Sequence, residues 1–425
     1  MSDITDFYQQ QAANGVSDIP WLATLQNKAR VEFERIGFPT RKHEEWKYTS
    51  IDGFLKQRFV KADTAAKMEL RLREEDSLPV SGSKISLING VVVGAEALAA
   101  TLPAGVLILP LAHALLSHAD KIKPWLGQIL KQEHAFHALN TAMLQCGIFI
   151  YLPAGVSLTE PLLLAHWQDQ TQQATYIRHL VIAEADSRAT IIEDYQGDAS
   201  TEYFTNTITE VYSAANSTLT HYKIQRESNL ASHIGHLAVN QAAGSQFDSH
   251  LFSFGGKLVR SDITFSLQEP HARCSMNGIY APTNGQHMDH HTLVTHAVPD
   301  CSSSQDYKGI LNGHSRAVFN GKVIVAKDAQ HTEAKQQNKN LLLSIDAEID
   351  TKPQLEIFAN DVICTHGATV GQLDEDALFY LATRGIERAE ASHYLVQAFA
   401  AENLRAITDV NLATWLGGLL DQQIG

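Results

Sequence analysis

The chain has 425 residues, of which 44% are hydrophobic and 19% charged, a composition typical of a soluble globular protein with two or three packed regions. Its 33 Lys and Arg against 47 Asp and Glu give a formal net charge of −14, which argues against a nucleic-acid or anionic-membrane surface. The start of the chain lacks the basic and apolar segments of a secretory signal, and the longest apolar run (residues 105–116) is shorter than the roughly 20 residues of a membrane span. We therefore expect a soluble, cytoplasmic protein.

The N-terminal region, residues 1–84, is predicted to be mainly helical. Apolar residues recur there at the three- and four-residue steps of one helix face, at Leu25, Ala29, Phe33 and Ile36. Gly37 and Pro39 are predicted to end this helix. The next segment, TRKHEEWKY, is dense in charged and aromatic residues suited to fastening the helical region to the rest of the chain.

Residues 85–371 form the predicted β-strand region, and the pattern is clearest from about residue 166. Near its start, ISLINGVVV places an Asn-Gly pair between apolar runs, which predicts a hairpin. Strand-like runs begin at residues 290, 305, 317, 340, 351 and 362, and no helical pattern interrupts them. In AVFNGKVIV, small and apolar residues alternate with Asn320 and Lys322, so one face is predicted to be buried.

Strands that recur every ~11–15 residues fit either a β-sandwich or a β-helix. A tract of about 200 residues is long for a sandwich, and its turns lack the Asn-Gly and Asp-Gly pairs of repeated hairpins. The sequence therefore favours a mainly β protein built of stacked coils.

Residues 372–425 are predicted to form a C-terminal helical domain. Asp374 is the expected N-cap of its first helix, and Gly385 the expected stop. The second helix has an apolar stripe at Ala391, Leu395, Ala398 and Phe399, and a third helical segment follows. Such a module is expected to cap the coils, to dock a partner, or both.

A thiol and an imidazole stand two residues apart in VICTHGATVG, at Cys364 and His366. On a strand both side chains point to the same face, and a sulfur beside a nitrogen ligand suits iron or zinc. Two ligands do not complete a site, and the four cysteines of the chain include no CxxC pair. The alternative reading is that both residues belong to the core, as small buried hydrophobes do; we expect this of Cys146 and Cys274, and a structural role for Cys301.

A second candidate site lies in QHMDHHTLVTH, where His287, Asp289 and His291 would share one strand face as three metal ligands. The same pattern also fits a polar stripe facing solvent. His233 and His236, three residues apart, are a weaker pair. The sequence contains no P-loop, GxGxxG, GxSxG or HExxH motif.

Four segments resemble the SufB/SufD family, the scaffold subunits of the SUF iron–sulfur assembly machinery. They are TRKHEEWKY (residues 40–48), SRAVFNGKVIV (315–325), QQNKNLLLS (336–344) and DTKPQLEIFANDVICTHGATVG (350–371). The chain length, the first block and the lack of the longer cysteine-bearing N-terminus common in SufB favour the SufD branch.

This resemblance implies a right-handed parallel β-helix flanked by N- and C-terminal α-helical domains. It also implies a scaffold without enzymatic activity, which pairs with SufB and docks the ATPase SufC on its C-terminal helices. His366, and less directly Cys364, would face a SufB cysteine and help to hold a nascent iron–sulfur cluster. That cluster would be transient, with no cofactor held tightly by the isolated chain, which is also suited to forming a homodimer.

Two other functions fit parts of the sequence. One is a metal-dependent β-helix or cupin-like enzyme that uses His287, Asp289 and His291. The other is a carbohydrate-binding protein or lyase, which the lack of a signal peptide and of a carboxylate- or Arg-rich groove motif disfavours. A stoichiometric metal ion in the isolated chain would distinguish the metalloenzyme from the scaffold.

Overall fold

The chain winds into a parallel β-solenoid of about eight turns, with helices at its N- and C-terminal ends. This computed structural model describes residues 3–62, 78–99, 101–144 and 146–424. Its α-helices are α1 (Asp3–Ala13), α2 (Pro20–Ile36), α3 (Ala95–Ala99), α4 (Leu111–Ser117), α5 (Ala119–Ile122), α6 (Ala135–Ala142), α7 (Glu375–Thr383), α8 (Arg388–Arg405) and α9 (Val410–Ile424). Two short 3-10 helices cover Glu44–Trp46 and Phe54–Lys56.

The strands fall into an early set and a set that builds the regular coils. The early strands are β1 (Val60–Lys61), β2 (Ser83–Ile88), β3 (Val91–Val93), β4 (Leu107–Pro110), β5 (Ile148–Leu152) and β6 (Leu162–Gln168). The later strands are β7 (Gln173–Ala183), β8 (Arg188–Gly197), β9 (Phe204–Ser213), β10 (Thr218–Gln225), β11 (Ser232–Gln241), β12 (Gln246–Ser253), β13 (Leu258–Leu267), β14 (Arg273–Tyr280), β15 (His287–His296), β16 (Ser302–Leu311), β17 (Arg316–Val325), β18 (Thr332–Leu342), β19 (Glu348–Ile357) and β20 (Val362–Gly371).

Each coil contributes one strand to each of two sheets. The odd-numbered strands from β5 to β19 form the parallel part of one sheet, and β2 with the even-numbered strands from β6 to β20 forms that of the other. β4 and β3 close the first ends of the two sheets with antiparallel pairs. The expected mainly β, coiled fold is therefore confirmed, and the predicted hairpin is the β2–β3 pair.

One corner of the solenoid repeats from coil to coil with a left-handed backbone conformation. Its residues have φ between 57° and 66° and are Asp186, Asn216, Gly244, His271, Asp300 and His331. Short polar residues and glycine tolerate this conformation better than other residues. The corner amides bond to the next coil, as where Asn216 N donates to Ala243 O over 2.9 Å. All six corner residues are Asp, Asn, Gly or His, which adopt the left-handed conformation more readily than other residue types.

Strand alternation places the apolar residues of each coil in the interior. On β17, Ala317, Phe319 and Val323 are each at most 1% exposed, as their spacing predicts. Lys322 lies on the opposite face and bonds to Glu356. β18 begins eight residues before the predicted start at residue 340, because its polar first half alternates between buried and exposed positions.

The N-terminal helices pack on the outer face of the β5–β19 sheet. α2 ends at Ile36, and Gly37 follows with φ 65°, as predicted. Phe33, Trp46, Phe54 and Phe136 join a buried cluster with Phe204 of β9. Residues 63–77 of the predicted helical region lie outside the described residues.

The C-terminal helices pack along the outer face of the β6–β20 sheet. Asp374 caps α7 by accepting hydrogen bonds from the amides of Asp376 and Ala377. The predicted stripe on α8 is shifted: Ala391 is buried, but Ala398 is exposed, and Val396 and Ala400 make the buried contacts. The stripe prediction was wrong for Ala398 because packing against the sheet and α9 sets the rotation of the helix. Within the described residues, no helix is long and apolar enough to cross a membrane.

Candidate functional site

The last coil leaves two strands with one free edge each. β19 pairs with β17 and β20 pairs with β18, and no other described strand covers their far edges. Apolar side chains are exposed at this end: Ile357, Phe358, Ile363 and Val370. An uncovered edge with apolar side chains is a surface that favours pairing with another chain. This open end is the first element of the candidate site.

His366 lies on β20 within this open end and is exposed. It is in register with Gln336 of β18, which is only 3% exposed and donates to Gln305 of β16. By alternation the His366 ring faces the same way as these glutamines. The ring is exposed because no further coil covers it, so the core reading was wrong for His366.

Cys364 shares this face of β20 but lies deeper, half-buried against the apolar interior. Burial raises the pKa of its thiol, partly offset by a hydrogen bond with the backbone of Ala334. The thiolate is the form that binds metals, so burial makes Cys364 the weaker ligand of the two. The structure brings both predicted residues to one site and makes His366 the accessible group.

The second predicted site, His287, Asp289 and His291, lies on one face of β15 but not toward solvent. Asp289 Oδ2 accepts a hydrogen bond from Arg260 Nη1 over 2.9 Å, and its Oδ1 lies 2.8 Å from His291 Nε2. Thr49 donates to the same Asp289 Oδ2 over 2.6 Å and contacts His287 Nε2 at 2.8 Å. The prediction of a solvent-facing stripe was therefore wrong, because the N-terminal region covers these residues.

The segment 40–48 provides much of this cover. Glu45 bonds to His291 and Asn320, and the Trp46 ring lies 4.1 Å from the Arg260 guanidinium carbon. Glu44 bonds to Lys352 on β19. These contacts reach four successive coils, through β13, β15, β17 and β19, so the charged and aromatic residues of the segment fasten the N-terminal region to the solenoid. Asp289 Oδ2 already accepts two hydrogen bonds and Oδ1 lies against His291. Among the described residues, His287, Asp289 and His291 do not form a group whose ligand atoms lie within 4.8 Å of one another, so this face is a poor metal site.

The other histidines and cysteines singled out in the sequence are buried. His233 bonds to Glu227 over 2.6 Å inside the solenoid, while His236 faces the N-terminal region and lies 2.8 Å from His137. Cys146, Cys274 and Cys301 are buried, as expected of small hydrophobes, and burial raises the pKa of each thiol.

The sequence reading missed two groups whose ligand atoms lie within 4.8 Å of one another. One is His134, His137 and Asp262; the other, sealed inside the early coils, is His166, His179 and Glu193. The spacing of His134 and His137, three residues apart at the start of a helix, was a signal for the first group. The second joins residues from three strands and had no local signal.

Comparison with known proteins covers almost the whole chain. The family described as the SUF system FeS cluster assembly, SufBD core domain, matches residues 166–399, and the SufBD protein N-terminal region matches residues 2–164. The chain belongs to the SufBD family. The match begins ahead of β1 and extends through the terminal coil and into α8, so both predicted residues on β20 lie within the family core.

Two of the relatives of this SufBD chain are named SufD. The iron-sulfur cluster assembly protein SufD of Escherichia coli is 33% identical over 89% of this chain and 87% of its own length. An iron-sulfur cluster assembly SufBD family protein of Synechocystis is 31% identical over 94% of this chain and 90% of its own. SufD of Bacillus subtilis is 25% identical over 70% of this chain and 69% of its own. The recognition of the SufD branch is confirmed.

Proposed function

We propose that this chain is a non-enzymatic scaffold subunit that pairs with SufB and holds a nascent iron–sulfur cluster at their interface through His366. The observation that carries the proposal is an exposed imidazole on the last strand of an uncovered solenoid end. A neutral imidazole is a good iron ligand, and one ring cannot hold a cluster without ligands from elsewhere.

The open end has the chemistry of an interface between two β-solenoids. Its strands carry unpaired backbone groups beside exposed apolar side chains, among them Phe358 and Ile363, each 61% exposed. A second solenoid that presents a similar end would satisfy both features, by extending the sheets and covering the apolar groups. The same surface would allow a homodimer when SufB is absent.

A cluster held between two chains would form and leave as the interface changes. His366 would supply a nitrogen ligand, and SufB would supply sulfur. Cys364, with its raised pKa, would be a secondary ligand that becomes a thiolate only when metal displaces the proton. The cluster is therefore cargo of the assembled complex, and the isolated chain would hold none tightly.

SufC would dock on the C-terminal helices, in the cytoplasm. α8 and α9 use one side to cover the sheet, through Val396, Leu412 and Leu416, and leave an outer surface free. The neighbouring helix α7, which packs on α8, adds Phe379 (72% exposed) and Tyr380 (58% exposed). Exposed aromatic groups are typical anchors of protein interfaces.

Reconstitution with SufB and SufC from the same source tests this function. The wild-type chain should co-purify with both proteins and accumulate cluster absorbance when iron, sulfide and ATP are supplied. His366→Ala should assemble equally well but accumulate little cluster, because it removes a ligand and no buried contact. His113→Ala, at an exposed position of α4 beside the early strands β4 and β5, is the matched control and should accumulate cluster normally.

Two results would contradict the proposal. Unchanged cluster yield with His366→Ala would remove His366 from the site. Failure of the wild-type chain to bind SufB would remove the shared interface altogether.

A further inference from the structure

A cleft of about 510 Å³ lies between the N-terminal region and the β5–β19 sheet, far along the chain from His366. We call it the His134 cleft. His134 precedes α6, His137 is in its first turn, and Asp262 and His236 project from β13 and β11. The α6 segment thus meets the outer face of the solenoid along two histidines and a carboxylate.

Among the described residues, neither ring nitrogen of His134 has a hydrogen-bond partner, although its side chain is only 12% exposed. The nearest acceptor is Asp262 Oδ2, 3.5 Å from His134 Nε2, which is too long for a well-formed hydrogen bond. A buried imidazole without partners loses the hydrogen bonds that it had with water. No group among the described residues replaces those hydrogen bonds.

We propose that the His134 cleft binds a divalent transition-metal ion through His134, His137 and Asp262. The ligand atoms of these three residues lie within 4.8 Å of one another. Two ligands about 2.1 Å from a tetrahedral ion stand roughly 3.4 Å apart. The 3.5 Å between His134 Nε2 and Asp262 Oδ2 matches that separation. The His137 ring stacks on the His134 ring, with 3.5 Å between centroids, and would turn to direct a nitrogen at the same ion.

The charge of the cleft favours a cation. Glu44, Glu45, Glu133 and Asp262 line it, against Arg260 and Lys322. Arg260 donates to both oxygens of Asp262, through Nε to Oδ2 (3.1 Å) and Nη2 to Oδ1 (2.9 Å). A carboxylate has about four acceptor positions, so Oδ2 can still offer a lone pair toward His134.

A second layer of groups contacts His137. His236 Nδ1 lies 2.8 Å from His137 Nε2, and His236 Nε2 lies 3.0 Å from Thr264 Oγ1. Such outer partners orient metal-binding imidazoles in known sites. Two histidines and one carboxylate, with room in the cleft for water, suit Zn²⁺, Fe²⁺ or Co²⁺. The ligands join α6 to β13, so a bound ion would tie the N-terminal region to the solenoid.

Co²⁺ is the probe for the test, because its visible absorption reports the geometry of its ligands. The full chain is treated with EDTA, dialysed and titrated with Co²⁺, followed by competition with Zn²⁺ and Fe²⁺. We expect one Co²⁺ per chain, visible bands that Zn²⁺ abolishes, and a higher thermal melting temperature with metal. His134→Ala should weaken binding at least about tenfold, since it removes a ligand.

His366→Ala is the matched control and should bind Co²⁺ like the wild type, which separates this site from the cluster site. Circular dichroism and the melting temperature of metal-free His134→Ala establish that it is folded; if it is not, His137→Ala takes its place. The proposal is overturned if the wild type binds no ion, if the folded His134→Ala binds as tightly as the wild type, or if His366→Ala alone abolishes binding.

Discussion

Arg178 on β7 and Glu210 on β9 form a fully buried ion pair, with 2.8 Å between Nη2 and Oε2. Glu210 also accepts hydrogen bonds from the amides of Gly127, Ile129 and Leu130, so the pair anchors the loop before α6 to the solenoid. Removing one charge leaves the other buried without its partner. Glu210→Gln should therefore lower the free energy of unfolding by about 3–5 kcal/mol, measured by urea denaturation.

The control for this change is an exposed pair on neighbouring strands of the same sheet. Arg316 and Glu348 lie 2.9 Å apart, with side chains 64% and 53% exposed. Water screens such a pair, so Glu348→Gln should cost less than about 1 kcal/mol. If the two variants lost equal free energy of unfolding, burial would not make the Arg178–Glu210 pair more stabilising than an exposed pair.

A positive charge at the open end should block pairing with another solenoid. Val370 on β20 is 50% exposed, and Val370→Lys would place an ammonium group where apolar contact is expected. We expect co-purification with SufB to fall sharply while the melting temperature stays near that of the wild type. Val31→Lys, at a 58% exposed position on α2, is the control and should bind SufB normally. Binding of SufB by Val370→Lys would place the interface elsewhere.

Loss of an exposed aromatic group on α7 should separate SufC docking from SufB pairing. Phe379→Ser removes a side chain that is 72% exposed, so folding stability should change by less than about 0.5 kcal/mol. Co-purification should show SufB retained and SufC lost. Leu116→Ser, at a 74% exposed residue on α4, should retain both partners. If Phe379→Ser still holds SufC, the docking surface does not include α7.

The fold should lose stability as the pH falls from about 6.5 to 4. Burial lowers the pKa of His290 to about 3, and that of His250 and of His296 to about 4. Between these values and the ordinary pKa of about 6.5, the unfolded chain binds protons that the folded chain does not, so acid favours unfolding. Each ring should add about 1.4 kcal/mol per pH unit to the slope.

Removing one of these rings tests the cause. His290 lies 3.0 Å from Ser253 Oγ and stacks on Tyr280. Across pH 6 to 4, urea denaturation of His290→Gln should show a slope smaller by about 1.4 kcal/mol per pH unit. An unchanged slope would show that His290 already takes up its proton in the folded chain.

Local patterns in the sequence were sufficient to predict individual helices and strands. The end of α2 at Gly37, the cap at Asp374 and the buried face of β17 follow from helix capping and strand alternation, which act over a few residues. The length of a coil was also present in the sequence, since the left-handed corner residues recur at 27 to 31 residues. That period was hidden because Asp, Asn, Gly and His all fill the corner.

Contacts between distant residues were decided by the tertiary structure. His287, Asp289 and His291 were correctly placed on one strand face, but Arg260, 29 residues earlier, lies beside Asp289 only because coils stack in register. The rotation of α8, which exposes Ala398, likewise depends on the sheet and on α9.

For His366, the sequence determined the chemical group, an imidazole, and its face of the strand. Elsewhere in the solenoid that face points to the interior. Only the tertiary structure decided that the ring is accessible. A solenoid buries a side chain when another coil stacks over it, and β20 belongs to the last coil described. Whether an inward-facing residue is core or a binding group therefore depends on where the stack ends, which no local pattern encodes.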